Sequence, residues 1–197
     1  MKSSFVALAV LLVACAAPTP PPTRYLLPAD VPEGTVRVDP PVRIGISKLA
    51  VAPYLSQLGL VVETDAGQIR AARQHQWAEP LAAGLRRQLR EQVSKALGLD
   101  VSADPTQSKH WDFVLDVSIE RLHGTLGGEA VLLARWRVTP RNAEGAVATY
   151  RFARSQPLSR AGYGGLVDAE ISLIEDLAGE IAASLAGLSE IESAGRP

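Results

Sequence analysis

The sequence predicts an α+β domain in which a mixed, largely antiparallel sheet carries two long helices packed on one face. Several segments alternate apolar and polar residues, as strands with one buried face do. Two longer segments repeat apolar residues at helical spacing, which indicates amphipathic helices. With 197 residues, of which 47% are hydrophobic, the chain is long enough for one well-buried domain and too short for two comfortable ones.

The N-terminus has the pattern of a bacterial lipoprotein signal. A positive charge precedes an apolar run that is too short to span a bilayer, so residues 1–14 are predicted to be a cleaved signal peptide. The run ends in a lipobox, residues 12–15, in which Cys15, the only cysteine of the chain, takes the position of lipid attachment. The other interpretation is an ordinary signal peptide cleaved near residue 16 or 17, which would remove Cys15.

The residues after the lipobox predict where the domain is held. Ala16 is not the aspartate that resembles an inner-membrane retention signal in enteric bacteria, so we expect a lipid anchor in the outer membrane, on its periplasmic face. Residues 15–23 form a proline-rich tether, and extended polyproline geometry at about 3.1 Å per residue would hold the domain roughly 20 Å from the anchor. Residues 24–188 are then a single domain, and residues 189–197 are a polar, frayed tail.

The domain is predicted to begin with an edge strand and a longer strand. Residues 24–28 are short, apolar and closed by a proline, which is typical of an edge strand. Residues 43–51 form the next strand, in which Ile44, Ile46 and Lys48 share one face. The continuous apolar run that follows indicates burial on both faces near the end of this strand.

A corner and a hairpin follow, with few residues connecting them. Pro53 stops the preceding strand, because proline cannot donate a ladder hydrogen bond. Residues 60–64 and 68–71 flank a tight turn in which Gly67 can supply the positive φ. Residues 42–97 are therefore predicted to fold as one packed unit.

Two amphipathic helices are predicted. The first opens at residues 77–80, where the proline is tolerated in the first turn and the Glu79 carboxylate favours the positive end of the helix dipole; it stops at Gly98. The last spans residues 165–188, and its seam either lies on the sheet or also meets a partner helix. The buried row of the first helix is Leu81, Leu85, Leu89, Val93 and Leu97, and the seam of the last is Val167, Ile171, Ile174, Ala178, Ile181, Leu185 and Leu188.

Between the helices, three strands joined by short turns predict an antiparallel meander over residues 111–122, 129–138 and 149–152. The first of these strands carries Asp112, Asp116 and Glu120 on its polar face. We interpret these carboxylates as a solvent-exposed face, and the alternative is a carboxylate-lined surface that meets a basic partner.

The sequence contains no pattern of catalysis, cofactor binding or nucleic-acid binding. The net charge is −1 and no basic stripe is present, which argues against a nucleic-acid partner. His75, His110 and His123 have no second metal ligand at a suitable spacing, so we interpret them as surface or capping residues. Neither a phosphate-binding loop nor a nucleophile with a base is present, so we predict no catalytic residue and no cofactor.

Two short motifs carry a resemblance to a known family. Residues 48–55, which end in Pro-Tyr-Leu, and residues 77–81, Trp-Ala-Glu-Pro-Leu, resemble the ABC-type transport auxiliary lipoproteins of the PqiC/YmbA group. Members usually carry an Asp-Arg pair after the Tyr-Leu and a basic residue after the next strand. Residues 56–57 and 63–64 are Ser-Gln and Glu-Thr here, so the roles of those family residues are not carried over.

The resemblance implies a non-catalytic accessory of an envelope lipid transporter that maintains membrane integrity. Its partners would be a periplasmic MCE-domain protein with its inner-membrane permease and ABC components, docked onto the outer membrane by this lipoprotein, with a ring of several copies allowed. The motif residues Tyr54, Leu55, Trp77 and Glu79 are the candidates for partner contact. The alternative for Trp77 is a core residue, and Tyr54 is balanced between core and contact.

A different class of function stays open. The chain could be a lipoprotein that regulates or assembles another envelope machine, such as a peptidoglycan synthase or an outer-membrane insertion complex. An envelope hydrolase is the least favoured hypothesis, because no nucleophile, base or metal constellation is present.

Overall fold

The computed structural model confirms the α+β class, with eight strands in one mixed sheet and two long helices packed against it. It describes residues 20–28, 42–64, 67–141 and 147–194, with side chains described up to residue 187. The predicted signal peptide and Cys15 lie outside the described residues. The strands are β1 (Thr23–Tyr25), β2 (Ile44–Val51), β3 (Gly59–Thr64), β4 (Gln68–Trp77), β5 (Val101–Ser102), β6 (Phe113–Gly124), β7 (Glu129–Pro140) and β8 (Ala148–Pro157), and the helices are α1 (Leu81–Leu97) and α2 (Tyr163–Ala194).

The strands follow the order β1-β4-β3-β6-β2-β5, and β7 and β8 continue from the other edge of β6. β6, β7 and β8 pair antiparallel over most of their lengths, which confirms the predicted meander. β2 and β6 pair in parallel, as do β1 and β4, so the sheet is mixed as predicted. The two-residue strand β5 and the 3-10 helix Pro105–His110 were not predicted, because such short elements give no periodic signal.

One edge of β6 is shared by β2 and β3 in succession. β2 pairs with residues 113–119 of β6, and β3 joins further along the strand, opposite Gly124. Between them the chain turns through the 3-10 helix Pro53–Leu55, and the N–H of Ala52 donates to the carbonyl of Ile119 at 2.9 Å. The end of β2 before this proline is as predicted.

The predicted face of β2 is wrong at Lys48. Ile44 and Ile46 are buried, but the pairing register with β6 shifts between Ile46 and Lys48, so the alternation changes phase there. Leu49 takes the next buried position and Lys48 is exposed. The two residues after Leu49 are only half-buried, so the expected burial of both faces near the strand end is also wrong.

The start of α1 differs from the prediction. Trp77 is the last residue of β4, and α1 begins at Leu81 with Pro80 as its N-cap. The predicted stop is confirmed, because Gly98 ends the helix with a φ of 65°. The predicted buried row is also confirmed: the side chains of Leu81, Leu85, Leu89 and Val93 are buried, and that of Leu97 is half-buried.

α2 lies on the sheet, which confirms the first interpretation of its seam. The helix begins at Tyr163 and continues to Ala194, so much of the predicted polar tail is helical. The indole Nε1–H of Trp136 in β7 donates to Ser184 Oγ at 3.0 Å and fixes the helix against the sheet. The side chain of Leu188 lies outside the description, and the other seam residues are buried (Val167, Ile174, Ala178, Ile181, Leu185) or half-buried (Ile171). Across the described residues, neither helix has a stretch long and apolar enough to cross a membrane.

Gly45 is required by the packing of Trp111 against β2. A Cβ at Gly45 would lie 2.0 Å from Trp111 Cδ2, and Trp111 is 3% exposed, so the indole cannot move aside without opening the core. We expect Gly45→Ala to lower the free energy of unfolding by about 2 kcal/mol, measured by urea denaturation. Gly127→Ala is the matched control, since no atom lies within 4 Å of its Cβ. Equal stabilities of the two variants would contradict the expectation.

Candidate functional site

The corner after β2 is held in place by the hydroxyl of Tyr54. Pro53 and the short 3-10 helix turn the Tyr54 side chain, which is half-buried, toward the end of β6. Its hydroxyl lies 3.0 Å from Nδ1 of His123 and 3.4 Å from the carbonyl oxygen of Glu120. The hydroxyl has one proton, and the shorter contact is to the imidazole.

The other side of the imidazole determines which nitrogen carries the proton. Nε2 of His123 is 3.4 Å from a carboxylate oxygen of Glu63 in β3. A lone pair on Nε2 would face that negative charge, so the favoured tautomer carries its proton on Nε2 and accepts the Tyr54 proton on Nδ1. The result is a directed series of polar contacts from Tyr54 through His123 to Glu63, which links the corner, β6 and β3.

Burial shifts the acid–base properties of this cluster. The pKa of Tyr54 is raised, chiefly because burial disfavours the phenolate. The pKa of His123 is lowered by its burial, although the Glu63 carboxylate opposes this shift. The imidazole is therefore neutral at neutral pH, and the interpretation of His123 as a surface or capping residue is wrong.

Glu170 in α2 is a buried carboxyl that the sequence reasoning did not single out. It is 2% exposed, and burial raises its pKa to about 8, so the group is mostly protonated at neutral pH. The negative charge of an ionised Glu170 would also contribute to the raised pKa of Tyr54. Its position next to Ile171 in the apolar seam was the available signal, but a glutamate at such a position is normally at the helix surface.

Trp77 and the residue after it hold the N-terminal segment on the sheet. In the parallel pairing of β1 with β4, Tyr25 lies opposite Trp77, and the N–H of Ala78 donates to the Tyr25 carbonyl at 2.7 Å. The N–H of Trp77 donates to the carbonyl of Leu58, also at 2.7 Å, which joins the end of β4 to the corner. Trp77 is 5% exposed, so its interpretation as a core residue is confirmed.

Glu79 forms the second part of this attachment. Its carboxylate pairs with the guanidinium of Arg87 through contacts of 2.9 Å and 2.6 Å, and this hydrogen bonding lowers the pKa of Glu79. Arg87 also donates to the carbonyl of Leu27 at 3.1 Å. Gly84 makes the close approach possible, since a Cβ there would lie 3.2 Å from Leu27 Cδ1. We call the contacts of Trp77, Ala78, Glu79 and Arg87 with residues 25–27 the N-terminal clamp.

An aromatic stack extends the N-terminal clamp to α2. The ring of His75 in β4 lies 3.9 Å from that of Tyr163 at an interplanar angle of 14°, and its Nδ1 is 3.0 Å from the Tyr25 hydroxyl. One stack therefore connects β1, β4 and the first residue of α2. His75 is half-buried in it, whereas His110 is exposed as expected.

The four motif residues fall into two groups. Tyr54 and Leu55 lie at the corner, and Trp77 and Glu79 lie at the end of β4, joined to it through Leu58. The Leu55 side chain is 2% exposed. Leu55 and Trp77 are thus core residues. Tyr54 and Glu79 are only partly buried, so a partner could contact their exposed atoms.

The outer face of the sheet, opposite the helices, carries a groove with a volume of about 250 Å³. Asp116 lies in it as expected for a polar strand face, but Lys48, Arg135 and Arg137 line it as well. Of the other two carboxylates of that face, Glu120 is paired with Arg135 at 2.9 Å and Asp112 accepts from the backbone N–H of Arg43 at 2.8 Å. The alternative of a carboxylate-lined surface is therefore wrong in the groove, because three cations and one acid line it. We call this feature the basic groove.

The polar groups around His123 and in the N-terminal clamp connect strands to one another and to α1. Within the described ranges, no three His, Cys, Asp or Glu side chains converge in a group that could hold a metal ion. The polar series from Tyr54 to Glu63 supplies a neutral imidazole and a buried hydroxyl, which suits a rigid structural connection between strands.

Comparison with known proteins identifies the family. Residues 25–182 match the model of the ABC-type transport auxiliary lipoprotein component. This match covers most of the chain, so the protein belongs to that family and is a transport-associated lipoprotein. No curated protein shows a significant match to the sequence.

Solved structures show the same fold. A crystal structure of an uncharacterised protein aligns with a TM-score of 0.70 and 24% identity over 84% of this chain and 99% of its own. A Xanthomonas campestris protein of the DUF330 family aligns with a TM-score of 0.68 and 15% identity over 87% of this chain and 99% of its own. At these identities the likeness concerns the fold alone.

The Glu79–Arg87 pair in the N-terminal clamp is expected to stabilise the domain. Arg87→Met keeps most of the aliphatic stem but loses the ion pair and the bond to the Leu27 carbonyl, so we expect a loss of about 1 kcal/mol in the free energy of unfolding. Glu79→Gln in the same background should add little further loss, because the partner charge is already gone. Arg86→Met on the same helix is the control. A loss from Arg86→Met as large as that from Arg87→Met would contradict a specific role for the pair.

The buried carboxyl of Glu170 predicts a pH dependence of stability. The unfolded side chain ionises near its ordinary pKa of 4.5, whereas the folded one keeps its proton until about pH 8. The folded state therefore binds more protons between these values, and its stability falls as the pH rises, by roughly 3–5 kcal/mol in total.

Glu170→Gln tests this prediction, because the amide has the same shape and does not titrate. The free energy of unfolding, measured between pH 5 and pH 8, should fall more steeply for the wild type than for Glu170→Gln. The lowered pKa of His123 acts in the opposite direction, since it removes stability as the pH falls below about 6.5. That contribution is common to both proteins and cancels in the comparison. Parallel pH curves would show that Glu170 does not titrate as a buried acid.

Proposed function

We propose that this protein is a non-catalytic lipoprotein subunit of an MCE/ABC-type envelope lipid transport system. In this proposal residues 1–14 are removed, Cys15 carries the lipid anchor, and residues 15–23 tether the domain to the periplasmic face of the outer membrane. The domain then docks the periplasmic MCE-domain protein of the transporter onto that membrane. The observation that carries the proposal is the family match over residues 25–182, which nearly coincides with the predicted domain.

The N-terminal clamp supports a tethered role. β1 begins at Thr23, the last residue of the proposed tether, and pairs with β4, while Leu27 just after it is bonded to Arg87 of α1. A lateral force on the tether would therefore reach the whole sheet through backbone hydrogen bonds and the Arg87 contact. A lipoprotein that holds a partner at a fixed distance from a membrane requires such an attachment.

The corner is the proposed region of partner contact. Tyr54 is half-buried and fixed by His123, so its exposed edge presents an aromatic surface at little cost in conformational entropy. Leu58, four residues later, is 41% exposed and adds an exposed apolar side chain to this part of the chain. Leu55 and Trp77 would support this surface from the core, and Glu79 would act through the N-terminal clamp.

Affinity purification from mildly solubilised membranes tests the proposed function. We expect the full-length protein to recover an MCE-domain protein, identified by mass spectrometry, together with permease or ABC components. Cys15→Ala should reduce this recovery at least several-fold, because the docking surface is no longer held at the membrane. Recovery of a peptidoglycan synthase or an outer-membrane insertion complex without an MCE protein would overturn the proposal.

A further inference from the structure

The register of four strands builds the basic groove as two rows on the outer face of the sheet. In one row, Lys48 of β2, Asp116 of β6, Arg137 of β7 and Thr149 of β8 lie side by side. In the next row, Ala50, Ser118, Arg135 and Arg151 lie side by side in the same strands. Residues directly opposite one another share a face, so all eight project away from the helices.

The charges in these rows are not balanced. The two rows contain four cations and one carboxylate, that of Asp116. Of the other two acids on the polar face of β6, Glu120 is paired with Arg135 and Asp112 accepts from the backbone N–H of Arg43. Over the described part of the chain, the side chains of Lys48 and Arg137 make no ion pair or hydrogen bond. Arg135 and Arg151 are direct cross-strand neighbours, and like charges in that position destabilise a sheet. An anion placed between the rows would remove this repulsion.

The shape and lining of the basic groove favour a small anionic group over a protein surface. Its lining combines Ala50 and Ser118, whose side chains are short, with the charged residues Lys48, Asp116, Arg135 and Arg137. The volume of about 250 Å³ is below the range of about 300–1,000 Å³ that drug-sized ligands occupy. Protein interfaces are depleted of charge at their centres, whereas this centre is charged. Guanidinium groups and an ammonium are the donors that phosphate prefers.

We propose that the basic groove binds the phosphate group of an anionic phospholipid at a membrane surface. The cations are exposed to water, so a free phosphate ion would be held only through screened interactions. A membrane presents many phosphates together, and each basic residue close to an anionic surface then strengthens binding about fivefold. This inference rests on the membrane placement in the proposed function, and it assigns a lipid contact to the domain itself, separate from the anchor.

Vesicle co-sedimentation tests the inference with the mature chain, residues 15–197, carrying Cys15→Ala, so that neither the signal peptide nor an acyl anchor contributes. The two probes are vesicles of phosphatidylcholine alone and vesicles of phosphatidylcholine mixed with phosphatidylglycerol. We expect binding to be at least tenfold stronger with phosphatidylglycerol at low salt and to weaken as the salt concentration rises. Adding Lys48→Gln and Arg137→Gln should weaken this binding roughly ten- to thirtyfold. Neither residue makes an ion pair within the described chain, so the fold should not depend on them.

Two further variants separate a specific groove from general charge. Arg86→Gln with Lys95→Gln removes the same charge from α1, on the other side of the sheet, and should leave phosphatidylglycerol binding within about twofold of the parent. Asp116→Asn removes the carboxylate of the groove and should strengthen binding to phosphatidylglycerol vesicles roughly three- to fivefold, with no gain on phosphatidylcholine alone. Misfolding would expose apolar surface and increase binding to both kinds of vesicle. Equal losses from the groove pair and the α1 pair would overturn the proposal.

Competition with inorganic phosphate distinguishes a lipid headgroup from a free phosphate ion as the ligand of the basic groove. If millimolar inorganic phosphate displaces the protein from the vesicles at constant ionic strength, the groove is a site for free phosphate and the membrane assignment is overturned. Failure of inorganic phosphate to compete, together with the effect of the groove pair, supports the lipid headgroup. The assay contains no transporter component, so its outcome is independent of whether an MCE protein co-purifies.

Discussion

The fold depends on one constraint, which is that a single edge of β6 has to serve two different strands. β2 occupies the first part of that edge and β3 reaches its end, so the chain must leave the sheet and return within a few residues. Pro53 ends the pairing of β2 with β6 because it has no N–H to donate, and the bond from Tyr54 to His123 holds the turn that follows in place. A register shift in β6 between Ile119 and Arg121, at the level of the corner, accommodates the change.

The rest of the molecule follows from this shared edge. Once β3 lies at the end of β6, β4 returns beside β3, and its last residue, Trp77, comes to lie against Leu58 of the corner. β1 can then add to β4, and Arg87 of α1 closes over the segment that follows β1. The corner motif and the Trp77–Glu79 motif, far apart in sequence, are thus two ends of one hairpin that positions the N-terminal segment.

Much of this fold could be predicted, because the periodic segments are long and their apolar faces are regular. The meander, the buried row of α1 and the seam of α2 were read from spacing alone. The errors come from a register shift and a strand pairing, neither of which changes the apolar periodicity of the sequence. The shift after Ile46 reverses the facing of Lys48, and the pairing of β1 keeps the chain extended up to Trp77, where the proline had indicated a helix start.

The site residues were harder to predict for a related reason. Nothing near His123 in the sequence indicates that Tyr54 and Glu63 will enclose it, since they lie 69 and 60 residues earlier. The basic groove is likewise invisible in the sequence, because its cations come from three strands and only the cross-strand register brings them together.

The near-zero net charge of the chain does not prevent a local positive charge on the outer face of the sheet. That face carries Lys48, Arg137 and Arg151. On the helix side the opposite charges offset one another, because the acids Glu175, Asp176 and Glu180 of α2 lie in the same layer as the cations Arg86, Arg90 and Lys95 of α1. Trp136, bonded to α2, projects from β7 on the side opposite its neighbour Arg137, so the basic groove and the two helices lie on opposite sides of the sheet. An anionic membrane therefore attracts the outer face more strongly than the helix side, and a domain of balanced net charge can take a preferred orientation at a negatively charged surface.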